Sequence, residues 1–349
     1  MKQTSTRTIS QTLLLGIIGA GLGTGLGLPV APLLGSALLV SIVTLMGIHT
    51  GASHSLRNFS FIVVGCSLGC GITPETLALV GHWPWSLAAL ALSIAFMMYA
   101  NVWLLVRFYG QSVETSLLAS SPGALSSVIA LATSGYGNAR AIMVLQGMRL
   151  LLVMALLPVI IEGLNLQGTT NAAVLHGVLD YAYLPTLIIS SYVLAAFLDK
   201  INFPAAYIMA GLIISALGHG TELMQGVMPN PLVIIAFIII GSSVGTRFNG
   251  MQHSELKRYA GAAIASVTLS SIIAAVAAFI MAKLLQLPFG QVWVAYAPGG
   301  VEAMAALAMA LHFDPAYVAV HHLARIIGLV LVLPLVMTWL RIKPNAAGQ

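Results

Sequence analysis

The chain has 349 residues, of which 59% are hydrophobic and only 7% charged, with a formal charge of +5. Soluble domains carry roughly a quarter charged residues, so a water-covered globular fold is excluded. The fourteen Lys and Arg are scattered singly rather than gathered into a stripe, which excludes a nucleic-acid surface and leaves them as markers of membrane topology.

In chain order, Lys2 and Arg7 precede an apolar run that imitates a secretory signal peptide, yet no small-residue cleavage site closes it. Its glycines between Gly16 and Gly27 read as close helix packing. Pro29 separates a first and a second helix. Gly65-Cys66-Ser67-Leu68-Gly69 gives a third helix a small face at i, i+4, and Cys66 and Cys70 share that spacing, which favours packing over disulfide or metal chemistry. Trp85–Val106 is long and apolar enough to cross a bilayer, as are Tyr259–Ala282 and Tyr317–Leu340. An apolar segment broken at Ser121-Pro122-Gly123 follows, and then a closing helix that starts at Asn138 and carries Gln146 and Arg149.

The same order recurs. Ala297-Pro298-Gly299-Gly300 repeats the first break at an offset of 176, which also places Arg325 on Arg149, Pro334 on Pro158 and Gly241–Gly245 on Gly65–Gly69. One short indel earlier, Phe203-Pro204 through Gly211 matches Leu28-Pro29 through Gly35. The chain therefore reads as a membrane repeat over residues 8–164, a polar linker over 165–179 and a second membrane repeat over 180–341.

If each broken segment crosses the membrane, the repeats are parallel; if it enters and returns, they are inverted. With five spans per half and a cytoplasmic N-terminus, every loop Lys and Arg except Lys283 falls on the cytoplasmic side. The expected fold is all-α and integral to the membrane, with about ten transmembrane helices in two inverted repeats. Each repeat carries a Pro-Gly-broken re-entrant or discontinuous helix, and both termini are cytoplasmic.

A Pro-Gly step frees backbone groups that hydrocarbon cannot satisfy, so such breaks are tolerated only against protein or a wet cavity. Two of them entering from opposite faces are the arrangement secondary transporters use for a midplane site. The competing reading is a pair of kinks in spanning helices. Arg149 and Arg325 lie about ten residues into their helices, roughly 15 Å deep, where a charge requires a partner. A guanidinium there would bind a substrate anion or tie down the freed carbonyls. Glu302, two residues past Gly300, is the carboxylate beside a break and a candidate coupling residue. His322, three residues before Arg325 as Gln146 is before Arg149, would titrate or simply bond to a neighbouring helix. His321 and His322 point in different directions, against a two-histidine metal site.

The two breaks, the Leu28-Pro29 to Gly35 entry and Gln146-Gly-Met-Arg149 resemble the bacterial membrane-protein AbrB family over nearly the whole chain. His322 departs from the glutamine of that pattern. Members are named as regulators of the expression of another gene and as ammonia monooxygenases, and are unrelated to the soluble DNA-binding regulator of the same name. Neither a DNA-reading module nor a metal-ligand cluster is visible in the sequence.

The expectation is a secondary transporter of a small anionic metabolite in the bacterial inner membrane. Ser121, Pro122, Gly123, Gln146, Arg149, Pro298, Gly299, Gly300 and Arg325 would frame the substrate, while Glu302 and His322 would couple a proton. No catalytic residue, metal or cofactor is expected. The partners would be the lipid bilayer and a small-molecule or ion substrate, not nucleic acid, and the small-residue faces are compatible with a homodimer. The alternative is a membrane-embedded regulator acting indirectly or through a partner protein.

Overall fold

Backbone in hydrocarbon must satisfy its own hydrogen bonds, and helices do so within one segment. The computed structural model describes residues 5–70, 83–123, 128, 131–132, 134–168 and 177–340, the Glu302 side chain excepted. The described residues form thirteen α-helices and no strand. In the first part of the chain these are α1 (Thr6–Gly25), α2 (Ala31–Leu45), α3 (His54–Gly69), α4 (Trp83–Tyr109), α5 (Val113–Ser120) and α6 (Ala139–Gly163). Then come α7 (Tyr183–Lys200), α8 (Ala206–Gly220), α9 (Asn230–Gly245), α10 (His253–Leu285), α11 (Phe289–Tyr296), α12 (Val301–Ala310) and α13 (Pro315–Trp339).

Among the described residues six helices are long and apolar enough to cross a membrane: α1, α4, α6, α10, α13, and α9 continued through the short turn to Phe248. The apolar α2 and α8 are shorter. Large apolar side chains stand outward at helical spacing, among them Leu92, Phe96, Tyr99 and Trp103 on α4 and Ile272, Val276, Phe279 and Ile280 on α10. An aqueous surface does not present such stripes, and a bilayer does.

Helix bounds recur along the chain. Both ends of α3, α5 and α6 reappear 176 residues later as the ends of α9, α11 and α13, and those of α2 reappear 175 later as the ends of α8. Even a strained residue recurs: Val30 (φ 49°) and Ala205 (φ 54°), each directly after a proline, are left-handed at the entries of α2 and α8.

Two compact units form, one from residues within 1–81, 158–250 and 302–319, the other from residues within 82–157, 251–301 and 320–349. Each unit draws on both halves of the sequence. In the first, α3 lies against α8 and α9 against α2, α1 against α2 and α8 against α7, α1 against α9 and α3 against α7. Exchanging every helix for its recurrent partner returns the same set of pairings. The second unit behaves likewise, α4 packing on α10, α5 on α4 and α11 on α10. There Asn101 of α4 donates to Ser270 Oγ (2.9 Å) and accepts from Ser266 Oγ (2.6 Å), a polar link between apolar helices.

Glycine makes the closest approaches in the first unit. A Cβ on Gly65 would run into the Ile208 carbonyl oxygen, and one on Gly241 into the equivalent Leu33 carbonyl oxygen. Gly69 meets Ser215 and Gly245 meets Val40 in the same paired manner. At Gly65 and Gly241 a backbone carbonyl stands in the way, so no side-chain rotation relieves an added methyl there. Cys66 and Cys70 are buried free thiols beside Ser191 and Ser215, at 3.5 and 3.6 Å, and belong to the same packed face.

Gly65→Ala or Gly241→Ala is expected to destabilise the protein by about 1–3 kcal/mol, the usual cost of overpacking. Gly21→Ala, on an open face of α1, should be neutral or stabilise by about 0.5–1 kcal/mol through helix propensity. Thermal unfolding in detergent separates the two classes; equal melting temperatures for Gly65→Ala and Gly21→Ala would contradict the close approach.

Candidate functional site

The site is built at the end of two short helices. Helix α5 is started by Ser112, whose Oγ accepts from the Thr115 N–H (3.2 Å), and it stops after eight residues because Pro122 drives Ser121 into extended backbone (ψ 111°). Gly123 follows at φ 90°, a conformation glycine adopts without strain. The last carbonyls of α5 thus point onward with no helical N–H to meet them.

Helix α6 supplies those donors. Asn138 caps it, Oδ1 accepting from the Ala141 N–H (3.1 Å), and the Asn138 N–H donates to Thr115 Oγ1 (2.9 Å) near the start of α5. The chain that leaves α5 at Ser120 has therefore returned, by Asn138, to the level of α5's own first turn. Running alongside α5 from there, α6 brings two side chains to its open end. Gln146 Nε2 donates to Leu118 O (2.8 Å), Arg149 Nη1 to Ala119 O (3.0 Å) and Arg149 Nη2 to Ser121 O (3.0 Å). Gln146 Oε1 accepts a further bond from Arg149 Nη2 (3.1 Å).

The second break repeats this plan with His322 in place of Gln146, Asp314 in place of Asn138, and the arginine's two carbonyls set two residues further along. Asp314 starts α13 by accepting from the N–H groups of Ala316 and Tyr317 (2.9 and 3.2 Å). Arg325 donates from Nη1 to Ala297 O and from Nη2 to Gly299 O, both at 2.6 Å, around Pro298. His322 Nε2 lies 2.9 Å from Val294 O, the carbonyl equivalent to Leu118 O, and Nδ1 lies 2.6 Å from Arg325 Nη2. A guanidinium only donates, so Nδ1 is the acceptor and Nε2 carries the proton. The imidazole is neutral here and stands in for the Gln146 amide, one edge accepting from arginine and the other donating to a helix-end carbonyl.

Both guanidiniums are buried, Arg149 at 7% and Arg325 at 2% exposure. Among the described residues neither meets a carboxylate; the ion pair found there joins Arg140 to Glu255 (2.7 Å) at the surface. Each uses its two Nη groups on carbonyls and leaves its Nε–H without a hydrogen-bond partner, and Ser121 Oγ is buried and unpartnered beside them. The two arginines flank one tripeptide. Arg149 holds Ser121 O, and a Cβ on Gly123 would sit 3.3 Å from Arg325 Nε and 3.2 Å from Ile326 Cγ1.

The structure thus gathers Ser121, Pro122, Gly123, Gln146, Arg149 and Arg325, with His322, Pro298 and Gly299 behind Arg325. Gly300 leads directly into α12, and Glu302 is the second residue of that helix, its side chain outside the described residues. Of the two uses foreseen for the arginines, the Nη groups show the tying down of freed carbonyls, and each Nε–H has no hydrogen-bond partner.

Two buried polar groupings have no signal in the sequence. Tyr296 donates to Ser86 O (2.6 Å) and stacks on His321, whose Nε2 lies 2.9 Å from Ser86 Oγ, so α4, α11 and α13 share one network. The adjacent His321 and His322 therefore face separate partners, Ser86 on α4 and Val294 on α11. In the other unit, His219 closes the loop after α8 by reaching Ser215 O (2.8 Å) and Gly226 O (3.0 Å). Among the described residues no three His, Cys, Asp or Glu side chains cluster as a metal site.

A family profile described as "Transition state regulatory protein AbrB" matches residues 32–341. An Escherichia coli (strain K12) protein named "Putative regulator AbrB" is 23% identical over 312 residues, covering 88% of this chain and 89% of its own length. A Bacillus subtilis (strain 168) protein named "Uncharacterized protein YhjN" is 25% identical over 292 residues, covering 78% of this chain and 75% of its own.

Because His322 and Gln146 occupy equivalent roles, His322→Gln should retain stability, whereas His322→Ala strands Val294 O and an Arg325 N–H at a cost of about 1–3 kcal/mol. Melting temperatures in detergent decide it: His322→Gln melting as low as His322→Ala would refute the equivalence.

Proposed function

We infer the function from one premise: this chain belongs to the AbrB family, and its six long apolar helices mark it as a membrane protein. We propose that it is a secondary transporter of a small anionic metabolite, with the substrate site at the two broken helices. The observation that carries this reading is the pair of buried guanidiniums, each with an unused Nε–H and neither with a carboxylate among the described residues. A buried cation without an ionised partner is costly, and in membrane segments such a group marks a substrate or ion pathway.

Several features support ten spans in two inverted repeats, in the bacterial inner membrane with both termini cytoplasmic. Recurrent helix bounds support the duplication over residues 8–164 and 180–341. The return of the chain from α5 to the Thr115 level at Asn138 supports a re-entrant first break. The near-uniform placement of loop Lys and Arg on one side supports the odd number of spans per half that inversion requires. Such a geometry would bring the two half-helices together at the bilayer midplane.

Coupling falls to Glu302 or His322. Protonating His322 would put an N–H against the Arg325 N–H it now accepts from, so a proton arriving there releases the guanidinium. The regulator named among its relatives fits as an indirect effect, a transported metabolite controlling transcription.

Purified protein should melt at a higher temperature with a binding carboxylate or phosphate than with neutral analogues or simple cations, since a ligand selective for the folded state stabilises by mass action. Proteoliposomes should then take up the hit down its gradient. No stabilising anion, with the protein verified as folded, would turn the assignment toward a regulator that needs a protein partner. Glu302→Gln should flatten the pH dependence of uptake if that carboxyl carries the proton; an unaltered profile assigns coupling elsewhere.

A further inference from the structure

Three unused donors meet around one tripeptide: Arg149 Nε–H, Arg325 Nε–H and the Ser121 hydroxyl, all buried and all without partners. Among the described residues the acceptors beside them, Gln146 Oε1 and His322 Nδ1, are both taken by the arginines, and the Ser121 hydroxyl, which accepts as well as donates, is left open. Two buried guanidinium N–H groups favour a ligand that brings acceptors and negative charge, which ionised acid groups do and ammonium groups do not. The charge is also doubled. The open ends of α5 and α11 offset it by about half a unit each through their carbonyl dipoles. They do so through the Nη groups, which leaves the Nε–H of each guanidinium unpaired.

The donors are separated as well. Arg149 grips the tripeptide at Ser121 O, while Arg325 lies against it at Gly123, two residues on. Ser121 has no hydroxyl counterpart in the other repeat, where Ala297 stands, so the first break presents a hydrogen-bonding end and the second an apolar one. Resting on the anion-transporter reading above, we propose that the substrate is a small dicarboxylate with one acid group for each arginine, and that the Ser121 hydroxyl bonds the group held by Arg149.

The test titrates the full-length protein in detergent with oxalate, malonate, succinate and glutarate, with acetate and butyrate as single-acid analogues, with succinamide, and with inorganic sulfate. Melting temperature against concentration gives each apparent affinity. The expected result is at least one dicarboxylate binding about tenfold or more tighter than either single acid, equivalent to about 1.4 kcal/mol. Succinamide should be silent and affinity should depend on the spacing of the two acids. Ser121→Ala, which breaks no hydrogen bond seen in the structure, should weaken the preferred diacid several-fold. Arg149→Lys should reduce the diacid preference while keeping the charge.

Butyrate binding as tightly as the best diacid would overturn the two-acid proposal and leave the anion site standing. Sulfate matching the best diacid, with no effect of acid spacing, would overturn it in favour of one compact oxyanion group. No anion binding at all would overturn the transporter reading itself. The ligand series on the unaltered protein decides among these even if a variant fails to fold.

Discussion

Everything about the site follows from an exchange between a cation that has nowhere else to donate and carbonyls that have nothing else to accept from. A proline ends α5, and the turn around Pro298 ends α11, inside an apolar interior where water does not complete the hydrogen bonding. A guanidinium at the same depth is equally out of place. Brought together, each lowers the other's penalty: Arg149 takes Ala119 O and Ser121 O, and Arg325 takes Ala297 O and Gly299 O. The arginines are therefore C-caps reached from a neighbouring helix. Their planar fork suits that task because two parallel donors span two carbonyls while a third N–H takes no part.

This double role constrains the surrounding helices. For α6 to deliver Gln146 and Arg149 to the end of α5, the two must start level, which the Asn138–Thr115 contact secures. For a half-helix to end at a fixed depth, its beginning must be anchored too, and Ser112 does this for α5. The glycine faces of α3 and α9 serve another purpose. They let backbones of the other unit touch and leave no room for side-chain adjustment there.

Much of this arrangement was legible in the residues. The two Pro-Gly steps, the buried arginines and the caps Asn138 and Asp314 each rest on a short-range rule that holds regardless of tertiary context. That each arginine spends its Nη groups on carbonyls and leaves Nε–H unpartnered was not legible. Whether a guanidinium faces a carbonyl or a ligand depends on a few ångströms of helix offset that no spacing rule contains. The equivalence of His322 with Gln146 was obscured for a related reason, since an imidazole mimics an amide only in one tautomer, and its neighbours select that tautomer. His219 and the Ser86–Tyr296–His321 network are joined across long stretches of sequence with no periodic pattern to announce them.

The pairing of helices across the duplication bears on how such a chain arose. Neither compact unit can be made from one half of the sequence: the first needs α1–α3 and α7–α9 together, the second needs α4 and α5 with α10 and α11. A half-length ancestor would have had no finished unit of its own. It would have existed as an intertwined homodimer, two copies lending each other their helices. Held in one polypeptide, two such halves can differ, as Gln146 and His322 do, an inequality that a dimer of identical chains could never carry on one side alone.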